Sequence, residues 1–159
     1  MSDMVYSVNG GSAVSRCCFL LEVVDAIATM YPLSHFGVKI VPCDNVADIT
    51  YSYAKLSETY SYSIKELVRR EIGFVNLSRR GCEGGEPNDD FSDSTVRLQG
   101  MELPDGYEPL EEFGPMVKCE GSRTKLMVNY GYSVEEAEEL VKREKIGLIR
   151  FGKPFNTTR

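Results

Sequence analysis

The sequence predicts an α/β fold in which short parallel strands alternate with helices. Two patterns carry the assignment. Brief apolar runs bounded by Gly or Pro recur along the chain, and the segments between them repeat apolar residues at helical spacing. Strand–helix–strand alternation of this kind implies crossover connections and a parallel sheet. A third observation sets the scale. With 159 residues, 42% hydrophobic and 26% charged, the chain suits one soluble globular domain with a real core. That domain spans residues 1–159 and carries a long acidic insertion at about 79–118.

A Gly-Gly turn leads into residues 12–30, where Val14, Cys17, Cys18, Leu21, Val24 and Ile27 fall near one helical stripe. "HFGVKIVP" is a short apolar run ending at Pro42 and reads as the first strand. Residues 57–71 place Tyr60, Ile64, Leu67 and Val68 on one face of a second helix, and "IGFVNLS" follows as a strand. The insertion begins with the Gly-rich, acidic "GCEGGEPNDDFSDS" and holds one short helix around Pro109–Lys118. A connection of this length is either a solvated loop or a lid, since it leaves the C-terminal end of a strand. "TKLMVNYG" is a third strand, broken at Gly131, and "SVEEAEELVKREK" opens with a capping box of Ser133 and Glu136. "IGLIRFGKPF" is the fourth strand.

Composition excludes several classes of function. The net charge of −6 offers no basic stripe to a nucleic acid backbone. The apolar run 17–21 is too short to span a bilayer and lacks a basic flank, so neither a membrane segment nor a signal peptide is expected, and a cytoplasmic location follows by default. Five cysteines without a C-x-x-C pair favour reduced thiols over a zinc site, with Cys17 and Cys18 packing in the first helix and Cys43 a buried neutral thiol. The single His35 precedes the first strand and has no second histidine for a nucleophilic relay. The glutamates at 135, 136, 138 and 139 read as capping and solubility. No phosphate-binding glycine loop, dinucleotide fingerprint or metal-ligand cluster is present.

"GGSAVSRCCFLLEVVDAI" resembles the GGS-x-x-x-R-x-R-F-x-LEVVDA stretch of the old yellow enzyme family, the FMN-dependent ene-reductases built on a TIM barrel. "FGVKIVP" is similar to that family's fifth barrel strand and "IGFVNLSRRG" to its sixth, in wording closest to fungal members. "GYEPLEEFGPMVK" resembles the approach to strand seven, and "LMVNYGYSVEEAEELVKREKIGLIRFGKPF" resembles strand seven through strand eight. The resemblance runs in order from residue 9 to residue 155 and covers about the second half of a barrel of roughly 250 residues or more. It therefore implies half of a (β/α)8 barrel, about four parallel strands with helices, lacking the family's carbonyl-binding pair and proton-donating tyrosine. The resemblance sets Lys39 against the flavin pyrimidine and places Asn129, Tyr130, Gly131, Gly152 and Lys153 at the flavin phosphate. Tyr130 stands where many members have Gly, and Lys153 replaces a forked Arg with a point charge, so these positions read as vestigial and no cofactor is expected.

Four strands cannot close a barrel. The inward residues, such as Val38, Ile40, Phe74, Met127, Leu148 or Phe151, would lack a core, and both sheet edges would stay open. The expected solution is a homodimer that pairs the eighth-strand edge of one chain with the fifth-strand edge of the other; an open sheet covered by the acidic insertion is the competing one. Groups at the C-terminal strand ends would then share a cavity. Lys39, Asn76 and Arg79 are the candidate catalytic residues, and Ser78, Arg80, Asn129, Tyr130 and Arg150 the substrate-binding set, with Asp44 nearby. Arg79 and Arg80 could equally pair with the insertion, which holds ten carboxylates between Glu83 and Glu112 against one Arg97.

The reading that follows is a cofactor-free enzyme for a small hydrophobic, carbonyl-bearing substrate, with no nucleic acid or membrane partner. It would catalyse an isomerisation or cyclisation, including an intramolecular Diels–Alder reaction in fungal secondary metabolism. The alternatives are a non-catalytic partner subunit and a residual FMN-dependent reductase.

Overall fold

The computed structural model describes residues 11–43, 52–79 and 99–151. Within them the order is α1 (Ala13–Ala28), one 3-10 turn (Leu33–His35), β1 (Gly37–Ile40), α2 (Tyr53–Arg69), β2 (Phe74–Ser78), α3 (Pro109–Val117), β3 (Lys125–Asn129), α4 (Val134–Lys142) and β4 (Leu148–Arg150). All strands pair in parallel in the order β1-β2-β3-β4. Sequential parallel strands, each reached through a helix, make half of a (β/α)8 barrel, as the sequence predicts.

The helices are set by capping and by their apolar stripes. Ser12 caps α1, its hydroxyl accepting from the Ser15 amide at 3.3 Å, and Cys17, Leu21 and Val24 are buried at successive helical turns. The buried line runs through Ala13, so Val14 and Cys18, expected on it, are exposed instead, and the Cys18 thiol donates to Glu22 at 3.0 Å. Helix α2 starts at Tyr53 rather than 57, because Leu56 extends the buried stripe by one more turn before Tyr60. Two arginines tie α1 to α2. Arg16 donates to Thr59 at 2.7 Å and Glu58 at 2.6 Å, and Arg70 joins Asp25 at 2.7 Å and Glu66 at 2.6 Å. Pro109 starts α3, and Ser133 caps α4 by accepting from the Glu136 amide at 3.1 Å.

Strand alternation decides where the core sits. Val38, Ile40, Val75, Leu77, Leu126 and Val128 share one face and are buried against Leu21, Ile64, Phe113 and their neighbours from α1, α2 and α3. Each such side chain contributes about 1.5–3 kcal/mol when buried. Val38 and Ile40 thus belong to the helix-covered core, not to the inward face expected for them. The opposite face carries Phe74, Met127 and Leu148 together with the polar residues Lys39, Asn76, Ser78, Asn129 and Arg150. Phe151, just past β4, is half-buried. A Cβ on Gly37 would lie 2.3 Å from the Phe74 ring, so that ring spreads across β1 on this open face. His35 is exposed in the turn before β1, at the N-terminal edge of the sheet.

Candidate functional site

Register places the polar residues of the open face in two rows. Lys39, Asn76, Met127 and Leu148 are consecutive partners across the four strands. Ser78, Asn129 and Arg150 form the next row, two residues nearer the C-terminal strand ends. Strands lie about 4.8 Å apart and rows about 6.6 Å, so one small molecule can reach several of these groups. Asn76 is 4% exposed and Ser78 1%, although both stand on the face away from the described helices.

Two amide groups on this face stand out electrostatically. The Oδ1 atoms of Asn76 and Asn129 are buried and have no hydrogen-bond partner among the described residues. A desolvated carbonyl left in that state costs about 1–3 kcal/mol until a donor reaches it. Exposed cations lie to either side, Lys39 on the β1 edge and Arg150 on the β4 edge, with apolar Phe74, Met127 and Leu148 between and below. The combination is an apolar strip with convergent amides and positive charge, suited to a molecule that carries a carbonyl or carboxylate.

Arg79 is not brought to this face. It follows β2 on the helix side, where Nε donates to Glu108 at 2.7 Å and Nη1 donates to Glu136 at 3.0 Å and to the Gly131 carbonyl at 3.2 Å. Nη2 closes a short bond to the other Glu136 oxygen, and the guanidinium lies 3.7 Å over the Tyr132 ring. The hydrogen bond from Arg79 holds the Glu136 carboxyl below its usual range, while burial and then the charge of Glu108 push the Tyr132 hydroxyl up. Glu136 therefore does more than cap α4, and Arg79 fixes the β3–α4 turn rather than facing a ligand.

That turn contains Tyr130 at φ 71° and Gly131 at φ 75°, two successive residues in the left-handed region. A tyrosine there carries strain that a glycine would avoid, which agrees with the glycine expected at this position from the resemblance. The guanidinium of Arg79 beside this turn is engaged by two carboxylates, Glu108 and Glu136. Arg80, Asp44, Gly152 and Lys153 lie outside the described residues, as does the insertion from 80 to 98.

One cluster escaped the sequence reading. Ser57 makes a short hydrogen bond to Glu112, and the Tyr107 ring meets Tyr53 edge-on at 5.7 Å. Burial, then the Glu112 carboxylate, raises the pKa of Tyr107 well above that of a free phenol. The residues come from α2, from α3 and from the segment just before α3, distant in sequence, so no spacing signalled them. A groove of about 330 Å³ lies elsewhere, between α3 and the end of α4, lined by Leu110, Gly114, Lys118 and Arg143. Among the described residues no helix is long and apolar enough to cross a membrane.

No family model and no curated relative matches this chain. Solved structures do. Morphinone reductase superposes with a TM-score of 0.66 at 22% identity, over 93% of this chain and 33% of its own. The old yellow enzyme homologue from Zymomonas mobilis gives 0.67 at 18% identity, over 92% of this chain and 35% of its own. The old yellow enzyme from Trypanosoma cruzi gives 0.62 at 12% identity, over 90% and 31%. The chain thus spans about a third of the structures it matches, and at these identities the likeness is one of fold.

Proposed function

We propose that this half barrel, old yellow enzyme-like in fold, binds a small unsaturated molecule carrying a carbonyl or carboxylate and rearranges it without a redox cofactor. The observation that carries the reading is the pair of buried side-chain carbonyl oxygens of Asn76 and Asn129, without partners among the described residues, on a face lined by Phe74, Met127 and Leu148. Their N–H groups supply donors to a substrate oxygen, and their carbonyls accept from a substrate hydroxyl or amide. Arg150 and Lys39 add positive charge where negative charge develops on that oxygen. Donors of this kind, held in place before the reaction, are worth about a hundred- to a thousandfold in rate each. The apolar strip holds the hydrocarbon part with its reacting ends together.

Polarising the carbonyl lowers the barrier to an isomerisation or to an intramolecular ring closure, where two carbon–carbon bonds form at the expense of π bonds and no atom is gained or lost. In this reading Lys39 and Asn76 orient and polarise, Ser78, Asn129 and Arg150 bind, and Arg79 positions the turn. The reading needs no redox cofactor, since an isomerisation or ring closure moves no net electrons to or from the substrate.

The second reading is a reductase. The structural likeness to morphinone reductase, one structure of which is a complex with tetrahydroNAD, favours it. Mass spectrometry after incubation with unsaturated carbonyl compounds separates the two. The proposal expects a product of unchanged mass without any nucleotide, lost in Asn76→Leu and Asn129→Leu. A product heavier by two hydrogens, formed only with flavin and a reduced nicotinamide, establishes the reductase. Absence of both binding and turnover assigns a non-catalytic partner role.

A further inference from the structure

We propose that two copies of this chain close one eight-stranded barrel, β4 of each pairing with β1 of the other and α4 of each packing against α1 of the other. The inference rests on the fold and on the surface, and is independent of the reaction proposed above.

The sheet ends in β1 on one side and β4 on the other, with no further strand paired to either among the described residues. Both edges belong to parallel strands of one direction, so β4 can continue directly onto β1 of a second copy. The exposed apolar side chains lie where such a seam would run. Every large one among the described residues is on α1 and the turn after it, on α4, or on β4, and none is on the central helices α2 and α3. Phe19, 68% exposed, and Val23 share the face of α1 turned away from its buried Cys17–Leu21–Val24 line, and Met30 continues it. Val134 and Val141 stand two turns apart on α4, and Leu148 is 42% exposed on β4. These two stripes stand exposed at opposite ends of the described half barrel. A second copy brings them together.

Twofold symmetry satisfies the seam twice, and two sets of four strands give the eight of a closed barrel. Closure also turns the open face into an interior, where the second copy can supply donors to the orphaned Asn76 carbonyl. The ligand site is then built by both copies.

Light scattering on the full chain at micromolar concentration tests the assembly. The expected mass is twice that of the 17.8 kDa chain. Phe19→Asp and Val141→Asp should each give monomers with unchanged far-ultraviolet circular dichroism, because both side chains are exposed. Lys65→Asp on α2 should leave the dimer intact. An equimolar mixture of the two monomeric variants should recover a heterodimer, since one of its two seams is unmodified. A monomeric wild-type chain, a dimer disrupted by only one of the variants, or open chains longer than two would each overturn the proposal. Should Phe19→Asp lose its helical signal, Phe19→Gln replaces it with the same expectation.

Discussion

Along β2 the two faces of the sheet diverge residue by residue. Val75 and Leu77 point into the core beneath the described helices, while Phe74, Asn76 and Ser78 point to the side on which none of those helices packs. The covered face is apolar across the three longest strands and meets Phe113 and Ile64 from the helices. The open face mixes aromatic, thioether and amide groups, and two of its carbonyls have no partner. The first is packed as a core by the described helices. On the second, the side-chain carbonyls of Asn76 and Asn129 have no partner among the described residues, which marks it as the face available for binding.

That contrast predicts unequal responses to substitution. The largest effect is expected on the covered side, where Phe113→Ala removes a fully buried ring and should cost about 3–5 kcal/mol in denaturant unfolding. Leu148→Ala on the open side should cost less than about 1 kcal/mol in the monomeric Phe19→Asp background. Comparable losses at the two positions would remove the distinction.

Next in size is Arg79→Ala. It strips the guanidinium from two carboxylates and from the Tyr132 ring, and a loss of about 2–3 kcal/mol is expected in thermal or chemical unfolding. Arg79→Lys should recover only part of it, because a point charge cannot reach Glu108, Glu136 and the Gly131 carbonyl together. If Arg79→Ala instead left stability intact and abolished ligand binding, Arg79 would belong to the open face after all.

Asn76→Leu sharpens the comparison from the other side. Replacing an amide whose carbonyl is unpartnered should change stability by about 1 kcal/mol or less, with stabilisation the favoured sign, while ligand-induced thermal shift disappears. A large destabilisation with binding retained would make Asn76 part of the fold.

The smallest effect is a pH dependence. Hydrogen bonds from Arg79 to Glu136, and from Arg69 and Arg70 to Glu66, hold both carboxyls below the ordinary value of 4.5. A group depressed on folding contributes stability that is fully present above its unfolded pKa and is lost as pH falls through the folded one. Unfolding midpoints should therefore drop below pH 4.5 by an amount worth about 1 kcal/mol or less per pair, given the exposure of these groups. In Arg79→Ala the Glu136 share of that slope should vanish.

Much of the fold was legible in the sequence, because period-two and helical patterns are local. The capping serine of α4, the short helix at Pro109 and the four apolar strands all follow from neighbours within a few residues. What was not legible depends on contacts between distant segments. The inward or outward sense of Val38 and Ile40 needed the register against Val75 and Leu77, since an apolar run reads alike on both faces. Arg79 read equally as a cavity residue or as a partner of the insertion, and only the placement of Glu108 in the insertion and Glu136 in α4, 29 and 57 residues away, decides for the second. Asn76, Ser78 and Asn129 could be picked by strand position, but their burial and the missing partners of two of them emerged only from packing. The Tyr53–Tyr107–Glu112 cluster had no signal at all, because Tyr53 lies more than fifty residues from the two members in the insertion.

A chemical-shift titration of the full, nitrogen-labelled chain with cyclohexenone tests the central claim, that the open face is the ligand-binding one. The account expects the side-chain amides of Asn76 and Asn129 and the Arg150 Nε–H to move together in one saturable event, with Asn76→Leu abolishing it. Shifts confined to the α3–α4 groove around Leu110 and Lys118, or no saturable shift at any concentration, would contradict it.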